Sequence, residues 1–68
     1  GQVFVEMPRD EADGATLEVF NALGAKCPVR TSTADNVIGL DLSEYGPGLF
    51  FITVIRAGSL ETRRVIIE

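Results

Sequence analysis

The chain has 68 residues, a net charge of −4 and a hydrophobic fraction of 46%, which is the size and composition of one small globular domain. It contains no His and one Cys, so a Ser-His-Asp or Cys-His nucleophile system, or a zinc site with several His and Cys ligands, cannot be assembled. The ten acidic residues outnumber the six basic ones. This balance argues against nucleic acid as a partner, because a phosphate-binding surface needs an excess of basic residues. No signal peptide is visible, and no apolar run approaches the roughly 20 residues of a membrane-spanning helix.

The N-terminal part is predicted to form one strand followed by a polar turn. Residues 2–8 alternate in polarity, with Val3, Val5 and Met7 on one face of an extended chain and the residues between them on the other. The proline at the end of this run cannot donate to a sheet and closes the strand. Residues 9–14 are polar and end in an Asp-Gly turn.

Residues 15–26 fit two different periodicities. Leu17, Phe20 and Leu23 form a stripe at helical spacing, whereas a period of two makes the same segment a strand. The β-branched residues and the preceding turn favour the strand, and Gly24 then provides the positive φ of a hairpin loop.

The secondary structure after this loop is predicted from the polarity of each segment and from the Pro and Gly residues that interrupt strands. Residues 26–30 are interpreted as a return strand, at an edge or interrupted because of its proline, and the polar residues 31–36 as a loop. Residues 37–42 are predicted to form a strand with Asp41 facing outward. A Gly-Pro-Gly sequence at positions 46–48 is a strong breaker.

The most apolar run of the chain is Leu-Phe-Phe-Ile-Thr-Val-Ile at residues 49–55, and its composition predicts a central strand buried on both faces. A tight connection at residues 57–59 leads to the last strand, residues 60–67, which pairs back as a hairpin. Short strands separated by turns every 8 to 12 residues or so indicate an all-β sandwich. We expect about six to seven strands in two sheets around one core.

Three segments in this order and spacing, residues 15–26, 38–54 and 63–67, resemble the type A C-terminal sorting domain of the type IX (Por) secretion system of Bacteroidetes-type bacteria. In that family a strand leads to a loop ending in Gly and a basic residue. An aspartate-leucine-serine turn, a Gly-aromatic strand and a terminal basic pair with an apolar run follow. The resemblance implies a small immunoglobulin-like antiparallel β-sandwich over residues 1–68 and assigns residues 15–21 to a strand.

Two features depart from the family pattern. The family usually opens with Pro-Asn-Pro before the first strand, whereas this sequence opens with Gly-Gln. We therefore expect the domain to be trimmed at its N-terminus. The family often ends on a basic residue, whereas this sequence ends on Glu68, which puts a role for a terminal positive charge in doubt.

The resemblance implies a non-catalytic C-terminal targeting signal that directs a larger cargo protein across the outer membrane. The implied partners are the type IX translocon, shuttle and sortase proteins and an N-terminal cargo domain, with no nucleic acid and no small-molecule substrate. The implied destination is the medium or the cell surface, reached through the periplasm. No cofactor and no metal are expected.

The candidate residues for this function fall into two groups. The basic pair and the apolar run after it either form a docking element, recognised by strand addition or by a pocket, or are an ordinary last strand with solvated arginines. The turn glycines are expected to act by allowing unusual backbone angles. The recognition candidates are Arg63, Arg64, Val65, Ile66 and Ile67, and the structural turn glycines are Gly24, Gly46 and Gly48.

Several other interpretations compete with this function. The same sandwich resembles the immunoglobulin-like domain of flagellar hook-capping proteins and accessory modules of surface enzymes, in which it would be a structural or interaction module. A carbohydrate-binding platform is disfavoured because the chain has no Trp. The acidic residues at positions 10, 11 and 13 lack the distal Glu of a calcium loop and are interpreted as a solvated turn. The four Phe residues are expected to pack in the core, and Cys27 to be a small buried hydrophobe.

Overall fold

The computed structural model of the chain describes residues 4–68. These residues form six strands and one short helix. In chain order the elements are β1 (Phe4–Pro8), α1 (Arg9–Ala12), β2 (Thr16–Asn21), β3 (Arg30–Ala34), β4 (Val37–Asp41), β5 (Gly48–Arg56) and β6 (Ser59–Ile67).

The strands form two antiparallel sheets of three strands each. The first, here called the β4 sheet, has the order β1-β4-β3, and the second, the β5 sheet, has the order β2-β5-β6. Both central strands therefore pair on two sides. This arrangement is the predicted all-β sandwich.

The core lies between the two sheets. Alternate residues of each central strand point inward, so that Leu40 of β4 and Ile52 of β5 are almost completely inaccessible to solvent. The remaining core side chains come from the flanking strands, α1 and the loops. They are Met7, Ala12, Val19, Cys27, Leu42, Phe50 and Val54.

Most of the predicted elements are present. Val5 and Met7 face the core from β1, while Phe4 and Glu6 are exposed; Val3 lies outside the described residues. The ambiguous segment is the strand β2, and it ends in a loop where Gly24 has a φ of 83°. The last two strands form the predicted hairpin, which starts one residue earlier than expected.

The prediction of a return strand over residues 26–30 and a loop over residues 31–36 is wrong. Only an isolated bridge joins Lys26 to Phe20, and the strand is β3, one segment later. Both faces of β3 are exposed, so its sequence carries no hydrophobic alternation from which it could be predicted. A two-residue turn with Asp35 at a φ of 52° connects it to β4.

The prediction that residues 49–55 are buried on both faces is also only half right. β5 is a central strand, but of its outward side chains only Thr53 is buried, whereas Leu49, Phe51 and Ile55 are half-buried. Of the four Phe residues, only Phe50 lies in the core. β5 therefore has apolar residues on both sides, although only its inward side packs in the core. Its outward side is not completely covered by any part of residues 4–68.

The polar segment after β1 contains a helical turn that the sequence analysis did not predict. α1 has only four residues, too few for a hydrophobic period to be recognised. The Asp-Gly turn that follows it is present, with Gly14 at a φ of 70°.

Candidate recognition strand

The last strand, β6, is positioned by a tight hairpin with β5. The hairpin has a two-residue turn, in which Gly58 has a φ of 80° and Arg56 pairs with Ser59. From there the register runs without a bulge to the pair Gly48–Ile67. All five recognition candidates therefore lie on one regular strand.

The alternation of side chains along β6 divides these candidates between two environments. Val65 and Ile67 are half-buried and pack against the core, and Arg63 lies on the same inward side. Arg64 and Ile66 point to the outer face of the β5 sheet and are exposed.

Arg63 is held by two carboxylates of the same chain. Its Nη1 atom lies 2.8 Å from Glu11 Oε2 in α1, and its Nε donates to Glu61 Oε1 at 3.3 Å. The Glu11 oxygen is shielded from solvent. The hydrogen bond and charge of the Arg63 guanidinium lower the pKa of Glu11, and Glu11 and then Glu61 raise the pKa of Arg63. Arg63 thus ties the last strand to the helix that follows the first one.

Arg64 has no such partner among residues 4–68, where the only ion pairs are those of Arg63 and of Lys26 with Glu18. Its strand neighbour across the sheet is Phe51, and Ile66 lies opposite Leu49. The exposed fraction of Ile66 is 66% and that of Leu60 is 67%. The outward side of β6 therefore presents a cation between exposed apolar side chains.

These residues belong to a larger apolar surface, which we call the outer face of the β5 sheet. It combines outward side chains from all three strands, and the register places them in adjacent rows. Its apolar members are Phe20, Leu49, Phe51, Ile55, Leu60 and Ile66.

The two edges of the β5 sheet are treated differently by the fold. The C-terminal half of the edge at β2 is covered by the returning chain, because the amide of Asn21 donates to Ala25 at 2.9 Å and that of Cys27 to Val19 at 2.7 Å. β6 pairs with β5 on one side only. Within residues 4–68 no backbone hydrogen bond reaches its second side.

The turn glycines lie after β2 and at the start of β5, where Gly48 is the first residue of the strand. Gly24, Gly46 and Gly48 have φ values of 83°, 69° and 151°, angles that side chains with a Cβ rarely adopt. Gly24 closes the loop after β2, in which Asn21 Oδ1 accepts hydrogen bonds from Leu23 and Ala25 at 2.9 and 3.0 Å.

The turn before β5 is fixed by side-chain contacts. Asp41 Oδ1 accepts a hydrogen bond from the Ser43 amide at 2.9 Å, and hydrogen bonding by Ser43 lowers the pKa of Asp41. Tyr45 packs its ring near that of Phe50, and its hydroxyl donates to the carbonyl of Pro28. Partial burial raises the pKa of Tyr45.

Two further kinds of feature are absent from the part of the chain that the structure describes. No group of three or more His, Cys, Asp or Glu residues there is arranged to hold a metal ion. No helix there is long and apolar enough to cross a membrane.

Two features of this site differ from the expectation. The sequence presents the arginines as a pair, but neighbouring residues of a strand face opposite sides, and this rule alone separates Arg63 from Arg64. The prediction of a solvated turn at Glu11 is wrong, and no local signal in the sequence connects that residue to β6. Their contact joins residues 52 positions apart, so only the folded chain brings them together.

Of the comparisons with known proteins, the one with protein families gives a match. No curated protein and no solved structure matches the chain. A family described as the secretion system C-terminal sorting domain matches residues 1–68, which is every residue of the sequence. The chain therefore belongs to the family of C-terminal sorting domains of type IX secretion.

Proposed function

We propose that this domain is the non-catalytic export signal of a larger cargo protein, which it directs across the outer membrane by type IX secretion. The cargo precedes the domain in the chain, reaches the periplasm by a separate signal, and is then handed by shuttle and translocon to the exterior. A sortase removes the domain, and the cargo is released or attached to the surface. The observation that carries this proposal is the family match over residues 1–68.

We further propose that recognition uses the outward side of β6, namely Arg64 and Ile66. Both are exposed, and Arg64 has no ion-pair partner in the described part of the chain. An unpaired guanidinium beside apolar surface favours a partner with a carboxylate in an apolar setting, because such a pair adds orientation to hydrophobic contact. Arg63, Val65 and Ile67 support the strand from inside.

The absence of catalysis is part of the proposal. The sequence has no His, and its one thiol, Cys27, is buried with an exposed fraction of 5%. The chain therefore has no His to activate a nucleophile and no accessible thiol for covalent chemistry.

The test is a fusion of this chain behind a fluorescent protein that carries a periplasmic signal, expressed in a bacterium with type IX secretion. We expect fluorescence in the medium or on the cell surface, and its retention in the periplasm of a strain that lacks the translocon. Retention in both strains, with the domain folded, would contradict the proposal and favour a structural or interaction module.

A further inference from the structure

We propose that two copies of this chain associate through β6, which pairs with itself in antiparallel orientation around Thr62. The resulting contact joins two β5 sheets into one sheet of six strands. This inference concerns the isolated domain and does not rest on the proposed function.

The free edge of β6 is long and regular, and its charges are of both signs. Protected edges are usually short, interrupted by a bulge or a proline, or lined with charges, especially Lys, that repel a second strand. β6 has nine residues, contains neither Pro nor Lys, and keeps an unbroken register with β5. Its charged residues Glu61, Arg63 and Arg64 are of opposite sign, so they repel a second strand only in registers that bring like charges together.

Half of the backbone N–H and C=O groups of β6 point away from β5. In a two-residue hairpin the residues that flank the turn, here Arg56 and Ser59, form a hydrogen-bonded pair. Every second residue of β6 from Ser59 onward therefore bonds to β5. The amide and carbonyl groups of Leu60, Thr62 and Arg64 point away from β5 and are available to another strand.

Charge complementarity selects one register for this pairing. Pairing Thr62 with Thr62 places Glu61 of each copy opposite Arg63 of the other, in a non-hydrogen-bonded pair whose side chains lie closest. Arg63 already contacts Glu11 and Glu61 of its own chain, and the pairing adds a carboxylate of the second copy to these contacts. Leu60 then lies opposite Arg64, whose long methylene chain offers it apolar contact. Both pairs occur twice because the contact has two-fold symmetry.

The neighbouring registers are unfavourable for the same reason. If the two-fold axis passed through residue 63 instead of residue 62, Arg63 of one copy would lie opposite Arg63 of the other. If it passed through residue 61, Glu61 would lie opposite Glu61. Like charges directly opposite each other destabilise a strand pair. In the sequence Glu61, Thr62, Arg63, opposite charges therefore meet only when the two copies pair around Thr62.

The first experiment is sedimentation equilibrium of the chain over a range of concentrations. We expect a monomer–dimer equilibrium in the wild type. Glu61→Arg should raise the dissociation constant at least about tenfold, because two attractive pairs become repulsive. Glu6→Arg is the control for the change of net charge, since it makes the same change at an exposed position of β1 and should leave the equilibrium unchanged. Glu61→Arg also breaks the contact of Glu61 with Arg63 of the same chain, so its melting temperature is measured beside that of the wild type.

The second experiment tests the register by disulfide formation under a mild thiol oxidant. Thr62→Cys should cross-link two copies, because hydrogen-bonded antiparallel partners have Cα atoms about 5.5 Å apart. Arg64→Cys should not, because its two copies would be separated by about 14 Å along the strands. The buried Cys27 is present in both variants, so the wild type reports any cross-link through that thiol.

Three results would overturn the proposal. They are a wild type that stays monomeric at millimolar concentration, a dimer that Glu61→Arg leaves intact, and equal cross-linking at positions 62 and 64. Circular dichroism of each variant verifies that it is folded.

Discussion

Arg63 and Arg64 are neighbours in the sequence and belong to different parts of the structure. Arg63 binds Glu11 and Glu61 on the inward side of β6, whereas Arg64 lies on the outer face of the β5 sheet. A variant that replaces both would remove an internal contact and an exposed cation together. The two arginines must therefore be tested one at a time.

The ion pair between Arg63 and Glu11 predicts a pH dependence of stability. The pKa of Glu11 is lowered from 4.5 in the folded chain, so the folded state binds this proton less readily than the unfolded one. The stabilisation is fully present above about pH 4.5 and is lost as the pH falls through the lowered value. We expect Glu11→Gln to lower the melting temperature at pH 7, and the difference from wild type to shrink below pH 4.5.

This prediction is checked by thermal denaturation of both proteins from pH 7 to pH 2. Asp41 also has a lowered pKa, but it titrates in both proteins and cancels in the comparison. A difference in melting temperature that does not change over this range would mean that the pair with Arg63 does not stabilise the fold.

A second residue-scale prediction concerns the glycine at the start of β5. Gly48 has a φ of 151°, and a Cβ there would have open space, with Phe50 Cε2 at 3.9 Å. The expected cost of Gly48→Val is therefore backbone strain rather than a clash, and we expect a loss of about 1–3 kcal/mol. Urea denaturation measures it.

Gly39→Ala is the control for that variant. Gly39 has no positive φ, and its added Cβ would meet the movable Ser32 hydroxyl at 3.2 Å. A loss for Gly48→Val no larger than that for Gly39→Ala would argue against a special backbone requirement at Gly48.

At the scale of the elements, the sequence predicts those strands that have apolar side chains on a buried face. β5 is identified by its apolar composition and β6 by its place in a hairpin after a Gly turn. β3 could not be found because neither of its faces is buried; it is held by backbone pairing to β4. α1 is one turn long, and its role in binding Arg63 depends on tertiary contact alone.

The alternation along β5 predicts opposite outcomes for two adjacent acidic substitutions. Ile52 has an exposed fraction of 1%, and Ile52→Asp buries an unpaired charge in the core at a cost of about 4 kcal/mol or more. Phe51 is half-buried on the outer face, so Phe51→Asp should leave the domain folded. Circular dichroism and urea denaturation of both variants make the comparison.

A folded Ile52→Asp variant would mean that the inward side of β5 does not form the core. An unfolded Phe51→Asp variant would mean that the outer face of the β5 sheet is itself required for folding. Either result would contradict the division of β5 into an inward and an outward side.

At the scale of the whole molecule, a sorting domain needs a fold that survives until it is recognised and a surface that remains available. The two sheets enclose one core, and the domain exposes apolar side chains on the outer face of the β5 sheet. The sequence predicted the sandwich and, through its resemblance to a family, the class of function. It did not predict which side of β6 is available, because that depends on which residues the rest of the fold covers.

The central claim is that the outward side of β6 is recognised during export. The most direct measurement is secretion of the fluorescent fusion with Arg64→Ala, compared with Arg63→Ala and wild type, after each domain is shown to be folded. We expect Arg64→Ala to reduce export at least tenfold, because it loses one charge-assisted contact worth about 1.4 kcal/mol or more. Folded Arg63→Ala should be exported like wild type. Normal export of Arg64→Ala would contradict the claim, and a loss in folded Arg63→Ala at the same time would place recognition on the inward side of the strand.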